Sequence, residues 1–203
     1  GHFDILHGHD WHPVPALTRL KRDYDLPFIL TMHSTEWGRN GNHFGEGLSR
    51  EISHREWLGG YESDHVIVTT RRMMDELMWL YSIPKNKISI IPNGIIAGKI
   101  RRRQDAGRIK EKYGIQPLDP VVLFCGRMNV QKGPDLLVEA IPQILKKQPD
   151  MKFIFMGEGD MRPSCERRAQ ELNVADSCRF LGYTSPSAKE ELMNACDLMC
   201  VPS

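Results

Sequence analysis

The sequence lacks the features that would place it in several large classes. No apolar run approaches the roughly 18 residues of a membrane span, and no basic start with an apolar core marks a secretory leader. Charge of one sign is not in excess: 27 Lys and Arg stand against 26 Asp and Glu, a formal net of +1. That argues against a global basic field, so nucleic acid is not an expected partner. Tight cysteine pairs are also missing. Cys125, Cys165, Cys178, Cys196 and Cys200 are odd in number and form no C-x-x-C pair, which predicts free thiols and a reducing, cytoplasmic setting. Short repeats and low-complexity tracts are absent. The sequence does not begin with Met. It enters on an apolar run at Phe3 and stops at Ser203 just after another, so a piece of a longer protein is expected.

What is present is an ordinary globular mix, 40% hydrophobic and 26% charged over 203 residues, enough for one domain or two small ones. Charge divides it further. Residues 1–92 carry 10 basic and 12 acidic side chains, residues 93–118 carry 7 and 2, and residues 119–203 carry 10 and 12. The middle part holds Arg101, Arg102 and Arg103 and four glycines. Its expected role is a linker between two domains, leading into a short helix near Ile109–Tyr113; the arginine run is expected to be a solvated charged face.

Short apolar runs alternate with helical patterns along the whole chain. Strands are predicted at Phe3–His7, Phe28–Met32, His65–Thr69 and Lys87–Ile91, then at Val121–Cys125, Lys152–Met156, Cys178–Leu181 and Asp197–Val201. The runs are continuous rather than alternating, as parallel strands buried on both faces require. Helices are predicted where Leu136, Leu137, Ala140, Ile141, Ile144 and Leu145 form a stripe, where Met161, Cys165, Ala169 and Leu172 do so, and near 46–62, marked by Leu48, Ile52 and Tyr61. Ser187 with Glu190 has the spacing of a capping box. The fold class is therefore α/β with right-handed crossovers.

In such folds chemistry gathers beyond the carboxyl ends of the strands. Four strand ends carry polar groups: 7–12 (HGHDWH), 33–42 (HSTEWGRNGN), 126–133 (GRMNVQKG) and 157–160 (GEGD). All eight histidines fall between positions 2 and 65. His7, His9 and His12 suggest a zinc hydrolase, but Asp10 stands one place too early for an HxHxDH run and no later His/Asp cluster completes a two-metal site. No bound metal is expected, and metal hydrolysis stays the alternative of a different class. Gly157-x-Gly159 before a helix could cradle a phosphate. A dinucleotide fingerprint would want glycine at 162, where Arg162 stands, and an acid at the end of the next strand, which reads Gly182-Tyr183-Thr184. No cofactor is expected. Arg127 and Lys132 flank one strand-to-helix loop. Two cations there oppose the positive end of the helix dipole, a cost that a bound diphosphate would remove.

At these residues the chain resembles a known family. The run FCGRMNVQKGPDLLVEAIPQIL at 124–145 is similar to the donor-domain signature of the retaining GT-B glycosyltransferases of the family 4 and 5 type. IPNGI at 91–95, GEGD at 157–160 and FLGY at 180–183 resemble further segments of that family in the same order. HGHDWH and TMHSTEWGRNGN resemble more narrowly its glycogen and starch synthase branch. The resemblance implies two Rossmann-like halves facing across a cleft, both incomplete: an acceptor-side part at 1–92, a linker at 93–118 and a nucleotide-sugar part at 119–203. It implies transfer of glucose from UDP- or ADP-glucose to an acceptor hydroxyl with retention, the first-choice acceptor being an α-1,4-glucan and the second another sugar or a lipid. Arg127 and Lys132 would stabilise the departing diphosphate. His33 would sit at the donor glucose. Asn93, Gly126, Glu158 and Tyr183 would lie along the donor, Tyr183 through its backbone. His9, Asp10 and His12 would line the sugar or acceptor side. The family's glycine-rich loop before residue 1 and its E-x7-E motif after residue 203 have no counterpart in the sequence, and Ile96 replaces a common Asp. The 203 residues alone are therefore expected to be a poor catalyst.

Overall fold

The computed structural model describes residues 2–96 and 105–203. Arg101, Arg102 and Arg103 of the basic stretch lie outside the described residues. The chain divides into two compact units, Gly1–Ile95 and Ile96–Ser203.

The first unit is a four-stranded parallel sheet in the order β1-β2-β3-β4, built from β1 (Leu6–His9), β2 (Phe28–Met32), β3 (His65–Val68) and β4 (Ile88–Ile90). The connecting helices are α1 (Val14–Tyr24), α2 (Glu36–Arg39), α3 (Leu48–Glu62) and α4 (Arg71–Tyr81). Proline within the first turn starts α1, and a left-handed Asp25 ends it. The Thr70 side chain caps α4 by accepting from the Met73 N–H at 3.1 Å. Phe28, Leu30 and Met32 of β2 are fully buried against Val14, Val66, Val68 and Leu77.

The second unit holds β5 (Val121–Cys125), β6 (Lys152–Met156), β7 (Cys178–Gly182) and β8 (Leu198–Cys200), all parallel, in the order β7-β6-β5-β8. Its helices are α5 (Ala106–Lys112), α6 (Pro134–Leu145), α7 (Arg162–Glu171) and α8 (Pro186–Ala195). Alternate residues of β5 and β6 feed two cores. Val122, Phe124, Phe153 and Phe155 pack with α6 and α7, while Val121, Leu123, Ile154 and Met156 pack with Ile109 and Leu192. A sheet buried on both faces reads as continuous apolar runs, as the sequence did. Among the described residues no helix is long and apolar enough to cross a membrane.

Several sequence expectations need correction. β1 begins at Leu6, not Phe3, because its pairing with β2 runs from Leu6↔Phe28 to His9↔Thr31 and leaves Phe3 73% exposed. Helices α1, α2 and α4 were not expected. The cap of α8 is Ser185, whose hydroxyl accepts from the Ala188 N–H at 3.2 Å, so Ser187 lies inside the helix. Leu48, Tyr61 and Leu136 are exposed, and the buried faces of their helices use Ile52, Glu56, Gly59 and Gly60 in α3 and Leu137, Val138 and Ile141 in α6.

Candidate functional site

In the second unit the loops that leave β5 and β6 continue to pair after the strands end. The Gly126 N–H donates to the Met156 carbonyl at 3.0 Å, Met128 N–H to Glu158 at 2.9 Å, and Met161 N–H back to Met128 at 3.0 Å. Such approach needs glycine. A Cβ on Gly157, whose φ is +138°, would drive into the carbonyl oxygen of Gly126, and one on Gly159 into that of Met128. The GEGD glycines thus serve loop-to-loop packing. Beyond them lies an open hollow of about 440 Å³, lined by Gly126, Arg127, Glu158, Gly182, Tyr183, Thr184 and Lys189 among others. Arg162, at the position a dinucleotide fingerprint gives to glycine, binds Glu158 at 2.6 Å, Glu166 at 2.8 Å and the Phe180 carbonyl at 3.2 Å.

Arg127 and Lys132 both stand on the loop that leaves β5, and Lys189 lines the same hollow. Arg127 is exposed at the hollow. Lys132 follows Asn129, whose side chain accepts from the Lys132 N–H at 3.2 Å in a short 3-10 turn, and its stem lies beside Gly126. Among the described residues neither side chain makes an ion pair or a hydrogen bond, whereas Arg162, Arg168 and Arg179 are fully engaged. Two cations held at a strand end with no internal partner favour an anion there.

In the first unit, His9 and His33 end neighbouring strands. His9 Nδ1 lies 3.0 Å from His33 Nε2, and their rings stack at 5.3 Å. Asp10, left-handed at φ 56°, receives the His33 N–H at 2.9 Å. His7 shares a hydrogen bond with Thr31 Oγ1 at 2.8 Å and tilts against His9 at 4.7 Å. Burial, and then the neighbouring His9, lower its pKa. His12 instead stacks on Trp11 at 3.8 Å, with the Arg55 guanidinium 5.5 Å over the indole. His7, His9 and His12 do not converge: among the described residues no three His, Cys, Asp or Glu side chains are placed to hold a metal ion.

The structure therefore brings His9, Asp10 and His33 together, and Gly126, Arg127, Glu158 and Tyr183 together with Lys132 alongside. Tyr183 is 84% exposed at the rim. Asn93 lies in the exposed segment after β4, in the first unit. Sequence reasoning missed a buried network behind His33. Glu56 of α3, fully buried, accepts from the Glu36 N–H at 2.9 Å, Arg39 at 2.6 Å and the Tyr81 hydroxyl at 2.6 Å. Burial pushes the Glu56 carboxyl up against these hydrogen bonds, and burial with the Glu56 bond pushes the Tyr81 phenol up. A signal existed: Glu56 falls four residues after Ile52, on the buried face.

Comparison with known proteins accounts for both halves. Residues 1–98 match the model of Glycosyltransferase Family 4, and residues 105–203 match that of Glycosyl transferases group 1. An uncharacterized glycosyltransferase of Methanocaldococcus jannaschii is 30% identical over 99% of this chain and 52% of its own length. Glycogen synthase of Mycobacterium tuberculosis is also 30% identical, over 98% and 46%. D-inositol 3-phosphate glycosyltransferase of Nocardia farcinica is 28% identical, over 100% and 47%. The chain spans about half the length of the curated relatives it matches. Among solved structures, HepE of Anabaena in complex with UDP and glucose aligns with a TM-score of 0.84 at 16% identity, over 99% of this chain and 53% of that one. Sucrose-phosphate synthase of Thermosynechococcus elongatus aligns at 0.79 and 22%, over 99% and 50%. With both family models in chain order and two parallel α/β sheets beneath them, the chain belongs to the GT-B glycosyltransferases.

Proposed function

We propose that this chain supplies donor and sugar contacts of a retaining glucosyltransferase that uses UDP- or ADP-glucose. The observation that carries this reading is the pair Arg127 and Lys132, cations with no described internal partner beside a glycine-built hollow. When the bond from the sugar's anomeric carbon to the diphosphate breaks, negative charge grows on the leaving phosphate. Arg127 offers two parallel donors and Lys132 a point charge, both stronger in that state than before it. The acceptor hydroxyl bonds to the same carbon and passes its proton to the leaving phosphate on the same face, so no protein base is needed. The remaining work is positioning. His33 contacts the donor sugar, with His9, Asp10 and His12 on the acceptor side. Gly126, Glu158 and Tyr183 lie along the nucleotide, and Asn93 approaches the sugar. Residues 1–92 and 119–203 serve as acceptor and donor domains with 93–118 as linker.

An α-1,4-glucan is the first acceptor, supported by the glycogen synthase relative. The relative named for D-inositol 3-phosphate favours a second class, a smaller sugar-like acceptor. The test is calorimetry with UDP and ADP. Charge-assisted hydrogen bonds contribute about 1.5–3 kcal/mol, so Arg127→Ala and Lys132→Ala should each weaken binding about tenfold or more. Unchanged affinity in both variants excludes the diphosphate role.

A further inference from the structure

A carboxylate buried away from water needs an opposite charge and further donors for its remaining lone pairs. Glu56 has both, and the donors are unevenly drawn. Apart from Tyr81 they come from the segment directly after His33. The Glu36 N–H lies 2.9 Å from both carboxylate oxygens. Arg39 reaches Glu56 with one nitrogen at 2.6 Å and Ser34 Oγ, next to His33, with the other at 2.6 Å. Its Nε binds Glu36 at 3.1 Å. Thr35, itself buried, donates to Glu76 of α4 and accepts the Gly38 N–H at 3.0 Å, closing the turn.

His33 by contrast is exposed. Its contacts are the Asp10 carboxylate at its N–H and the His9 ring at its Nε2. Those two contacts come from the β1 side; on the other side the His33 backbone runs directly into residues 34–39, the segment that Glu56 holds. We propose that Glu56 is a positioning residue for sugar transfer: its carboxylate fixes residues 34–39 through Glu36 and Arg39, and so aims the His33 imidazole. This rests on the reading of His33 as a sugar contact.

A residue present only for stability could be replaced by a well-packed neutral group without consequence for the imidazoles. Glutamine cannot accept from Glu36, Arg39 and Tyr81 with the same atoms, since half of its head donates. The test compares Glu56→Gln and Tyr81→Phe by ring NMR of the histidines. His65, bonded to Ser89 at 2.8 Å, serves as the internal control. Glu56→Gln should move the His9 and His33 signals and leave His65 in place; Tyr81→Phe should do the same to a smaller extent. In a full-length enzyme containing this segment, turnover of UDP- or ADP-glucose should show kcat lowered about ten- to a hundredfold, as misplacement on the ångström scale does, with KM for the donor within about twofold. A folded Glu56→Gln protein with unmoved His9 and His33 signals, or with His65 displaced equally, assigns Glu56 to packing and overturns the proposal. Should that variant not fold, the Tyr81→Phe signals decide. His33→Ala separates the two ideas: normal turnover in it sinks the sugar-contact reading, while the ring signals still judge the hold of Glu56 on the loop.

Discussion

The two units share one device at the amino ends of their sheets and differ at the carboxyl ends. In the first, Asp64 precedes β3, accepts the N–H of Phe28 at 2.7 Å and binds Lys21 of α1 at 2.7 Å, while its own N–H returns to the Phe28 carbonyl at 2.7 Å. In the second, Asp197 precedes β8, accepts the N–H of Val121 at 2.8 Å and binds Lys110 of α5 at 3.0 Å, and its N–H returns to the Val121 carbonyl at 2.9 Å. Each lysine also reaches a carbonyl, of Glu62 and of Asp119, both at 2.8 Å. The strand N–H groups there have no ladder partner, so the same unmet need found the same answer twice. At the opposite ends the chemistry diverges. The first unit spends its charges on one another, with Arg39, Glu36, Glu56 and Tyr81 closed into a network. The second keeps Arg127 and Lys132 unused by its own described residues and shapes its loops with glycine. In the proposed reading the closed network supports the sugar contacts and the open cations take the diphosphate.

The sharpest break of this comparison is Gly157→Ala. The new Cβ meets a backbone carbonyl that no side-chain rotation can move, at a φ that only glycine adopts freely, so the second unit should lose at least about 3 kcal/mol. All four tryptophans, Trp11, Trp37, Trp57 and Trp79, lie in the first unit. Tryptophan fluorescence should therefore keep its denaturation midpoint while circular dichroism records an earlier loss; a tryptophan transition displaced equally would show that the units do not unfold apart.

Next comes the contrast between spent and unspent cations. Arg39→Ala strands the buried Glu56 and should cost the first unit about 2–3 kcal/mol, whereas Arg127→Ala should change stability by less than about 0.5 kcal/mol. Equal losses in urea titrations of the two variants would erase the distinction. The paired lysines give a smaller effect. Lys110 is nearly buried and Lys21 more exposed, so Lys110→Ala should cost about 1–2 kcal/mol and Lys21→Ala about half that. The reverse order would mean that burial does not set the strength of the shared device.

The smallest effect is in acid. Burial opposes the charge of Asp64 and Asp197, but the strand N–H and lysine bonds outweigh it, so both carboxyls titrate below the ordinary aspartate value. A lowered native pKa contributes stability above the unfolded value of about 3.9 and loses it as pH falls toward the native one. Both units should weaken in that range, and Asp64→Asn or Asp197→Asn should flatten the dependence of its own unit. Glu56, whose pKa burial raises, works the other way: it takes up its proton more readily folded than unfolded, so its share of stability grows as pH falls. The first unit should then lose less on acidification than the second, by equilibrium unfolding at pH 5 and pH 3.

How far the sequence carried can be traced to particular residues. β2, β5 and β6 were legible to the residue because their runs are buried on both faces and the pattern needs no partner to be seen. β1 was displaced because Phe3 and Ile5 are as apolar as any strand residue, and only pairing with Phe28–Thr31 selects Leu6–His9. α4 carried a readable stripe, Met74, Leu77 and Tyr81 at i, i+3 and i+7, under a Thr70 cap. At the site, Arg127 and Lys132 stood out by spacing and charge, and His9, Asp10 and His33 by their place after strands. Glu56 did not, because a glutamate in a helix is ordinarily on the solvent face.

The sequence by itself determined the α/β class, most strands, the family and the strand ends where polar groups collect, since periodicity, apolar runs and motif order are properties of neighbours along the chain. Tertiary structure decided what those groups do. It placed Glu56 against Glu36, Arg39 and Tyr81, residues 17 to 25 positions away, and it set Gly157 against Gly126 rather than leaving it as a turn. Hydrogen bonds and steric approach depend on distances that only the packing of helices and loops creates.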